Sequence, residues 1–255
     1  MSDNQGSLKL HTYRSDEELN LDNKIFQLFK DCPIPQDQIL SNLGLFMHSR
    51  DLARLLFMEH IFKQIVEVPG VVMDFGTRWG VNMALFAALR GMYDPYNRTR
   101  KIIGFDTFTG FPASSISDVD NSPLVKEGNV SAPDGYVQYL EGIMDWHEKS
   151  NPLGHIKKYE ICVGDASVEI ANYFDKNPET IVSLAYFDIN LYKPTKDCLE
   201  AIKPHLVKGS LIAFDEINDH DMQGETKAFK EVFDINNIRL KRLTKTSRTS
   251  YFILE

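Results

Sequence analysis

From residue 70 onward, short apolar runs alternate with stretches of helical periodicity, a pattern that restricts the chain to a parallel sheet buried on both faces by helices. Strands are expected at 71–75, 101–105, 159–163, 182–187 and 211–214, and helices at 81–92, 135–148, 167–174, 195–206 and 224–234. Two further strands are expected at 239–243 and 250–254, joined by a polar turn that leaves no room for a helical crossover, so they should pair antiparallel. The expected fold class is α/β: a Rossmann-like doubly wound sheet with five parallel strands and a C-terminal antiparallel β-hairpin.

Upstream of this region the pattern is purely helical. Ser15-Asp16-Glu17-Glu18 places a capping serine ahead of Leu19, Leu21, Ile25, Phe26 and Phe29, and a second helix over 49–66 carries Leu52, Leu55, Leu56, His60, Ile61, Phe62 and Ile65 at spacings of three and four. Residues 1–14 carry no such pattern and are expected to pack loosely. The chain therefore divides into an N-terminal helical extension, 1–68, and one main domain, 69–255, with an insertion at 110–134 suited to act as a lid. The apolar N-terminal helices leave a homo-oligomer open.

Charge and composition exclude several function classes. A net charge of -8 argues against a nucleic-acid face. The one basic stretch, 241–248, is interleaved with Thr and Ser, and reads as a solvated turn in preference to a phosphate site. No apolar run approaches the ~20 residues that span a bilayer, and residues 1–24 are polar and acidic with no signal-peptide pattern. A cytoplasmic protein is expected, with Cys32, Cys162 and Cys198 as reduced structural thiols.

Ligands of open α/β sheets bind at the carboxyl ends of the strands. The first strand runs into Asp74-Phe75-Gly76-Thr77-Arg78-Trp79-Gly80, where Gly76 and Gly80 permit either a plain strand-to-helix turn or a close backbone approach to a ligand. The spacing departs from G-x-G-x-x-G, against a dinucleotide cofactor. Asp106 ends the second strand, where a carboxylate can accept from a ribose diol or cap the next segment; Asp165 can accept from an adenine amino group or cap the following helix. Strands four and five end in Asp188 and in Asp215-Glu216. Three carboxylates brought that close need a cation or a proton among them, and an all-oxygen set favours magnesium, or else calcium or manganese. A glycosidase carboxylate pair is the competing reading.

The stretches MDFGTRWGVNMALF, IIGFDTFTGFP, CVGDA, YFDINLYKPTKDCLEAIKPHLVKGS and IAFDEI, in this order over residues 70–218, resemble the class I S-adenosylmethionine-dependent methyltransferases, and within them the macrocin and nucleotide-sugar O-methyltransferase group. A cephalosporin hydroxylase group shares much of the pattern. The resemblance implies a class I methyltransferase fold in which Gly76, Arg78 and Gly80 line the methionine end of S-adenosylmethionine, Asp106 holds the ribose beside Thr107 and Phe108, and Asp165 and Ala166 border the adenine. It places Asp188, Asp215 and Glu216 as ligands of a divalent metal, chiefly Mg. Asn190 stands where many relatives carry a second Asp, and Glu216 replaces a frequent Asp or Asn.

The function expected is metal-assisted methyl transfer to a hydroxyl of a small acceptor, a sugar or nucleotide-linked sugar, with Asp188, His147 and Asn190 as the catalytic candidates and His147 as a base. A phosphorylated or other anionic metabolite is the alternative acceptor. A non-catalytic adenosyl-ligand binder, a hydroxylase-like relative and an NAD-dependent oxidoreductase are the alternative functions.

Overall fold

A computed structural model describes residues 15–246 and 248–255; the expectation for residues 1–14 lies outside them. Two N-terminal helices, α1 (Asp16–Lys30) and α2 (Ser49–Gln64), precede an alternating series: β1 (Val71–Phe75), α3 (Val81–Tyr93), β2 (Ile102–Asp106), α4 (Tyr136–Lys149), β3 (Tyr159–Val163), α5 (Ala166–Lys176), β4 (Val182–Phe187), α6 (Tyr192–Ile202), β5 (Leu206–Phe214), α7 (Gly224–Val232) and β6 (Ser250–Ile253). The capping box read from Ser15 forms: Glu18 N–H donates to Ser15 Oγ at 3.3 Å and Ser15 N–H to Glu18 Oε2 at 2.8 Å.

The six strands lie in the order β3-β2-β1-β4-β5-β6. All neighbouring pairs are parallel except β5–β6, which is antiparallel. The chain leaves β1 toward one edge and returns at β4 toward the other, so the topological switch point falls between β1 and β4. The expected first arm of the terminal hairpin shrinks to a single bridge, Lys241 to Tyr251. It falls at the sheet edge, where Arg239, Lys241 and Arg242 supply charge and little apolar surface to bury.

Two cores sandwich the sheet. On one face Ile170, Tyr173, Cys198, Leu199, Ile202, Ala228 and Phe229 bring α5, α6 and α7 against Met73, Ile103, Ala185 and Ile212. On the other, Phe57, Met58, Ile61, Phe62, Met83, Phe86, Leu140 and Met144 bring α2, α3 and α4 against Val72, Ile102, Leu184 and Leu211. α2 is pinned at its C-terminal end as well, because the buried Arg100 donates to the carbonyls of Ile65 and Val66, both at 3.1 Å, and so closes groups a helix end leaves open. A buried ion cluster joins α3, α4 and the start of β3: Glu148 accepts from Arg90 at 2.7 Å and pairs with Lys158 at 2.8 Å.

The C-terminal ends of four adjacent strands carry a row of stacked rings. Phe75 stacks on Phe105 at 4.8 Å and on Phe187 at 4.6 Å, both at 12°, and Phe187 stacks on Phe214 at 5.5 Å. Each ring is followed in sequence by Gly76, Asp106, Asp188 or Asp215. Strand register thus sets these polar groups side by side just above an apolar floor. Among the described residues no helix is long and apolar enough to cross a membrane, and Cys32, Cys162 and Cys198 are free thiols.

Candidate active site

A cavity of ≈ 370 Å³ opens above this floor at the switch point. Six of the eight residues expected to hold the cofactor line it: Gly76, Arg78, Asp106, Thr107, Asp165 and Ala166. The other two stand behind it. Gly80 caps α3 in a left-handed conformation against Leu140, and Phe108 is buried in the α2–α4 core.

The turn after β1 is built for close approach. Gly76 has φ +87° and its Cα faces the backbone carbonyl of Asp188, so no side chain fits there. Among the described residues no side chain caps the first turn of α3, and Arg78 Nε is buried without a partner on the cavity wall. Both are donors suited to an anion.

Asp106 is fixed by two short bonds: Arg78 N–H donates to Oδ2 and Phe108 N–H to Oδ1, each at 2.7 Å. Arg78 and Phe108 both sit at positive φ, 46° and 57°, so the carboxylate clamps two turns that an L-residue adopts reluctantly. Each oxygen keeps lone-pair capacity for a diol. Burial raises the Asp106 pKa above the usual carboxylate value, with the two amide bonds opposing it. Asp165 fills both roles open to it from sequence: it caps α5 through Ser167 N–H at 2.9 Å while lining the cavity, and Ser115 Oγ donates to it at 2.6 Å. Ser115 belongs to the 110–134 insertion, which also brings Gly110, Phe111, Pro112 and Val130 to the wall.

Asp188 and Asn190 line the cavity beside the turn after β4. Asp188 Oδ2 accepts from Arg54 Nη2 at 3.0 Å and Asp215 Oδ1 from Arg54 Nη1 at 3.2 Å. Tyr186 Oη donates to the same Asp215 oxygen at 2.6 Å. Arg54 Nη2 also donates to Asn82 Oδ1 at 3.2 Å, and Asn82 Nδ2 donates to the buried Asp74 at 3.0 Å. Burial, with Asp215 adding repulsion, raises the Asp188 pKa well above its ordinary value against the pull of Arg54. Glu216 turns elsewhere. It accepts from the Asn190 amide, pairs with Arg248 at 2.8 Å, and is pushed up to about 7, chiefly by burial.

This arrangement corrects the expected metal set. Asp188, Asp215 and Glu216 do not converge on a common point: a guanidinium lies between the first two and the third is drawn to Asn190 and Arg248. Among the described residues no group of three or more His, Cys, Asp or Glu side chains is arranged to hold a metal ion. The residues as placed do not fit a divalent cation.

His147 is corrected too. It sits near the end of α4 beside Trp146 and the buried Glu148–Arg90 pair, and does not line the cavity. Four participants were missed from sequence: Arg54, Asn82, Ser115 and Glu225, the last a fully buried carboxylate that accepts from the amides of Asn190 at 3.3 Å and Glu216 at 3.2 Å. Only Arg54 left a signal, since it falls on the helical face of Phe57, Met58 and Ile61, where an apolar residue would be expected.

Neither a comparison with protein-family models nor one with curated proteins finds a match. Among solved structures, the chain is similar to CalS11, a calicheamicin methyltransferase, with a TM-score of 0.91 and 39% identity over 99% of this chain and 98% of that one. An apo structure of CalS11, a TDP-rhamnose 3'-O-methyltransferase of calicheamicin biosynthesis, superposes with a TM-score of 0.83 and 37% identity over 95% and 96% of the two chains. The O-methyltransferase NovP shares the fold, with a TM-score of 0.56 at 15% identity over 94% of this chain and 99% of its own. Identity at this level over nearly the whole length of both chains, joined to a strand-end cavity of this shape, means that the chain belongs to the class I S-adenosylmethionine-dependent O-methyltransferases.

Proposed function

We propose that the protein methylates a hydroxyl of a nucleotide-linked sugar, and that the cavity at the β1–β4 switch point holds both the cofactor and the reacting end of the acceptor. The observation that carries this reading is the clamped Asp106 carboxylate, which retains acceptor capacity at the place where a ribose diol would lie. The donors after β1, with Arg78 Nε foremost, suit the methionine carboxylate, and Asp165 with Ala166 suits the adenine edge. The acceptor class follows from likeness to CalS11, which acts on TDP-rhamnose.

When bound, S-adenosylmethionine supplies an electrophilic methyl group on a sulfonium. The chain's part is to position and to move a proton. Asp188 stands on the cavity wall with one oxygen tied to Arg54, where it would take the proton that the acceptor hydroxyl loses on methylation. Asn190 cannot serve as a base; its amide holds Glu216 and its backbone, at φ 67°, shapes the turn that presents Asp188. Fixing donor and acceptor in line contributes on the order of 7–11 kcal/mol in favourable cases. The insertion, tied to Asp165 through Ser115, excludes water from above.

Calorimetric titration of S-adenosylmethionine into the protein and into Asp106→Ala tests the cofactor half, and methyl transfer to TDP-linked deoxysugars tests the acceptor half. Micromolar binding abolished in the variant, with turnover of a nucleotide-linked sugar, is the expected result. Absence of cofactor binding refutes the reading; cofactor binding with turnover only on free phosphorylated metabolites replaces the acceptor class.

A further inference from the structure

Helix α2 sends one cation into the space between two strand-end carboxylates. Arg54 uses Nη1 for Asp215 and Nη2 for both Asp188 and Asn82. Its guanidinium carbon lies 6.0 Å from the Tyr186 ring centroid, and the Tyr186 hydroxyl donates to the same Asp215 oxygen that Arg54 reaches. A planar fork with several donors can bridge two carboxylates and relieve their repulsion, which a point charge on a flexible stem does less well.

The placement of Arg54 is over-determined. The turns of α2 that follow it are locked by Phe57, Met58, Ile61 and Phe62, all with no exposed surface, and the C-terminal carbonyls are held by Arg100. The third carboxylate is engaged with Asn190 and with a second cation, Arg248. A divalent ion between Asp188 and Asp215 would have to expel Arg54 or bind beside its positive charge, while Glu216 would have to leave both of its partners.

We propose that Arg54 is the resident cation of this site: the guanidinium stands in for a divalent metal, orients Asp188 toward the acceptor hydroxyl, and makes methyl transfer independent of added metal. Arg54 is a positioning residue that acts through Asp188. The catalytic consequence rests on the methyl-transfer reading above; the ion-binding consequence does not.

The test uses Mn²⁺ as the probe, followed by electron paramagnetic resonance on the full chain, with S-adenosylmethionine titrated in parallel. The wild-type protein should bind Mn²⁺ no more tightly than roughly millimolar, as scattered surface carboxylates do, and Arg54→Ala, which frees Asp188 and Asp215, should bind it at least about tenfold more tightly. Asp188→Asn on the Arg54→Ala background should remove the gain. Once an acceptor is in hand, wild-type turnover should be unchanged by EDTA and Arg54→Ala turnover should become Mg²⁺-dependent. Micromolar Mn²⁺ binding by the wild type that Asp188→Asn abolishes overturns the proposal, and so does an Arg54→Ala variant that binds the cofactor but gains no Mn²⁺ affinity. The wild-type arm decides even if the variant does not fold. Failure of wild-type cofactor binding would count against the methyltransferase reading alone, since the Mn²⁺ result is read independently.

Discussion

The Asn82 side-chain amide donates to Asp74 Oδ1 at 3.0 Å, and among the described residues the other Asp74 oxygen is buried without a partner. Asp74 has no exposed surface, and burial raises its pKa to about 6 against the hydrogen bond of Asn82. Raised in the folded state, it is penalised when ionised. Its contribution to stability is therefore fully present below about 4 and lost as pH rises through about 6. Asp74→Asn keeps an acceptor for Asn82 and should abolish this loss, raising the unfolding free energy at pH 7.5 by up to about 3 kcal/mol with no gain at pH 4. Urea unfolding of both proteins across that range checks it; a pH-independent difference would show that Asp74 does not titrate there.

Asp120 ties the insertion to the machinery below. It accepts from Tyr192 N–H at 2.8 Å, at the start of α6, and from the amide and hydroxyl of Ser117 at 2.9 and 2.7 Å. Beside it Phe111 and Val125 of the insertion pack on Leu191 and Met222. Asp120→Ala leaves buried donors unsatisfied, at about 1–3 kcal/mol. Amide hydrogen exchange within 110–134 should rise about tenfold or more, and S-adenosylmethionine affinity should fall several-fold while the rest of the sheet keeps its protection. Unchanged exchange in the insertion would mean that the apolar contacts alone hold it down.

What the sequence made legible was the sheet edge, because a parallel strand buried on both faces writes its polar C-terminal end in plain contrast to its interior. The runs ending Phe75-Gly76, Phe105-Asp106 and Phe187-Asp188 therefore mark the cavity wall in the sequence itself, and Phe214-Asp215 marks the strand end beside it. The partners of these ends were not legible. Arg54 lies 134 residues from Asp188 and 161 from Asp215, and its only local mark is one charge on an apolar helical face. Three adjacent carboxylates imply a cation without saying which, and here two arginines supply it. His147 fails for a related reason. In a helix the residue after it points about 100° away, so Trp146-His147-Glu148 cannot reveal which member turns inward. The fold turns Glu148 into the Arg90–Lys158 cluster and leaves His147 beside it, away from the cavity.

Gly76 and Gly128 separate backbone strain from collision. Both have positive φ, 87° and 75°, so alanine at either pays the left-handed penalty of about 1–2 kcal/mol. A Cβ at Gly128 meets nothing within 4 Å, whereas at Gly76 it would run into the Asp188 carbonyl. That carbonyl belongs to the strand pair locked by Asp188 N–H donating to Phe75 at 2.8 Å, so it cannot retreat without parting β1 from β4. Gly76→Ala should thus lower stability by more than Gly128→Ala and weaken S-adenosylmethionine binding by more than about tenfold, since displacing Asp188 also moves the turn that carries Arg78. Gly128→Ala should cost stability alone. Calorimetric binding and urea unfolding of the pair measure both quantities, and equal effects in the two variants would mean that left-handed strain, not the approach of β4, is what Gly76 provides.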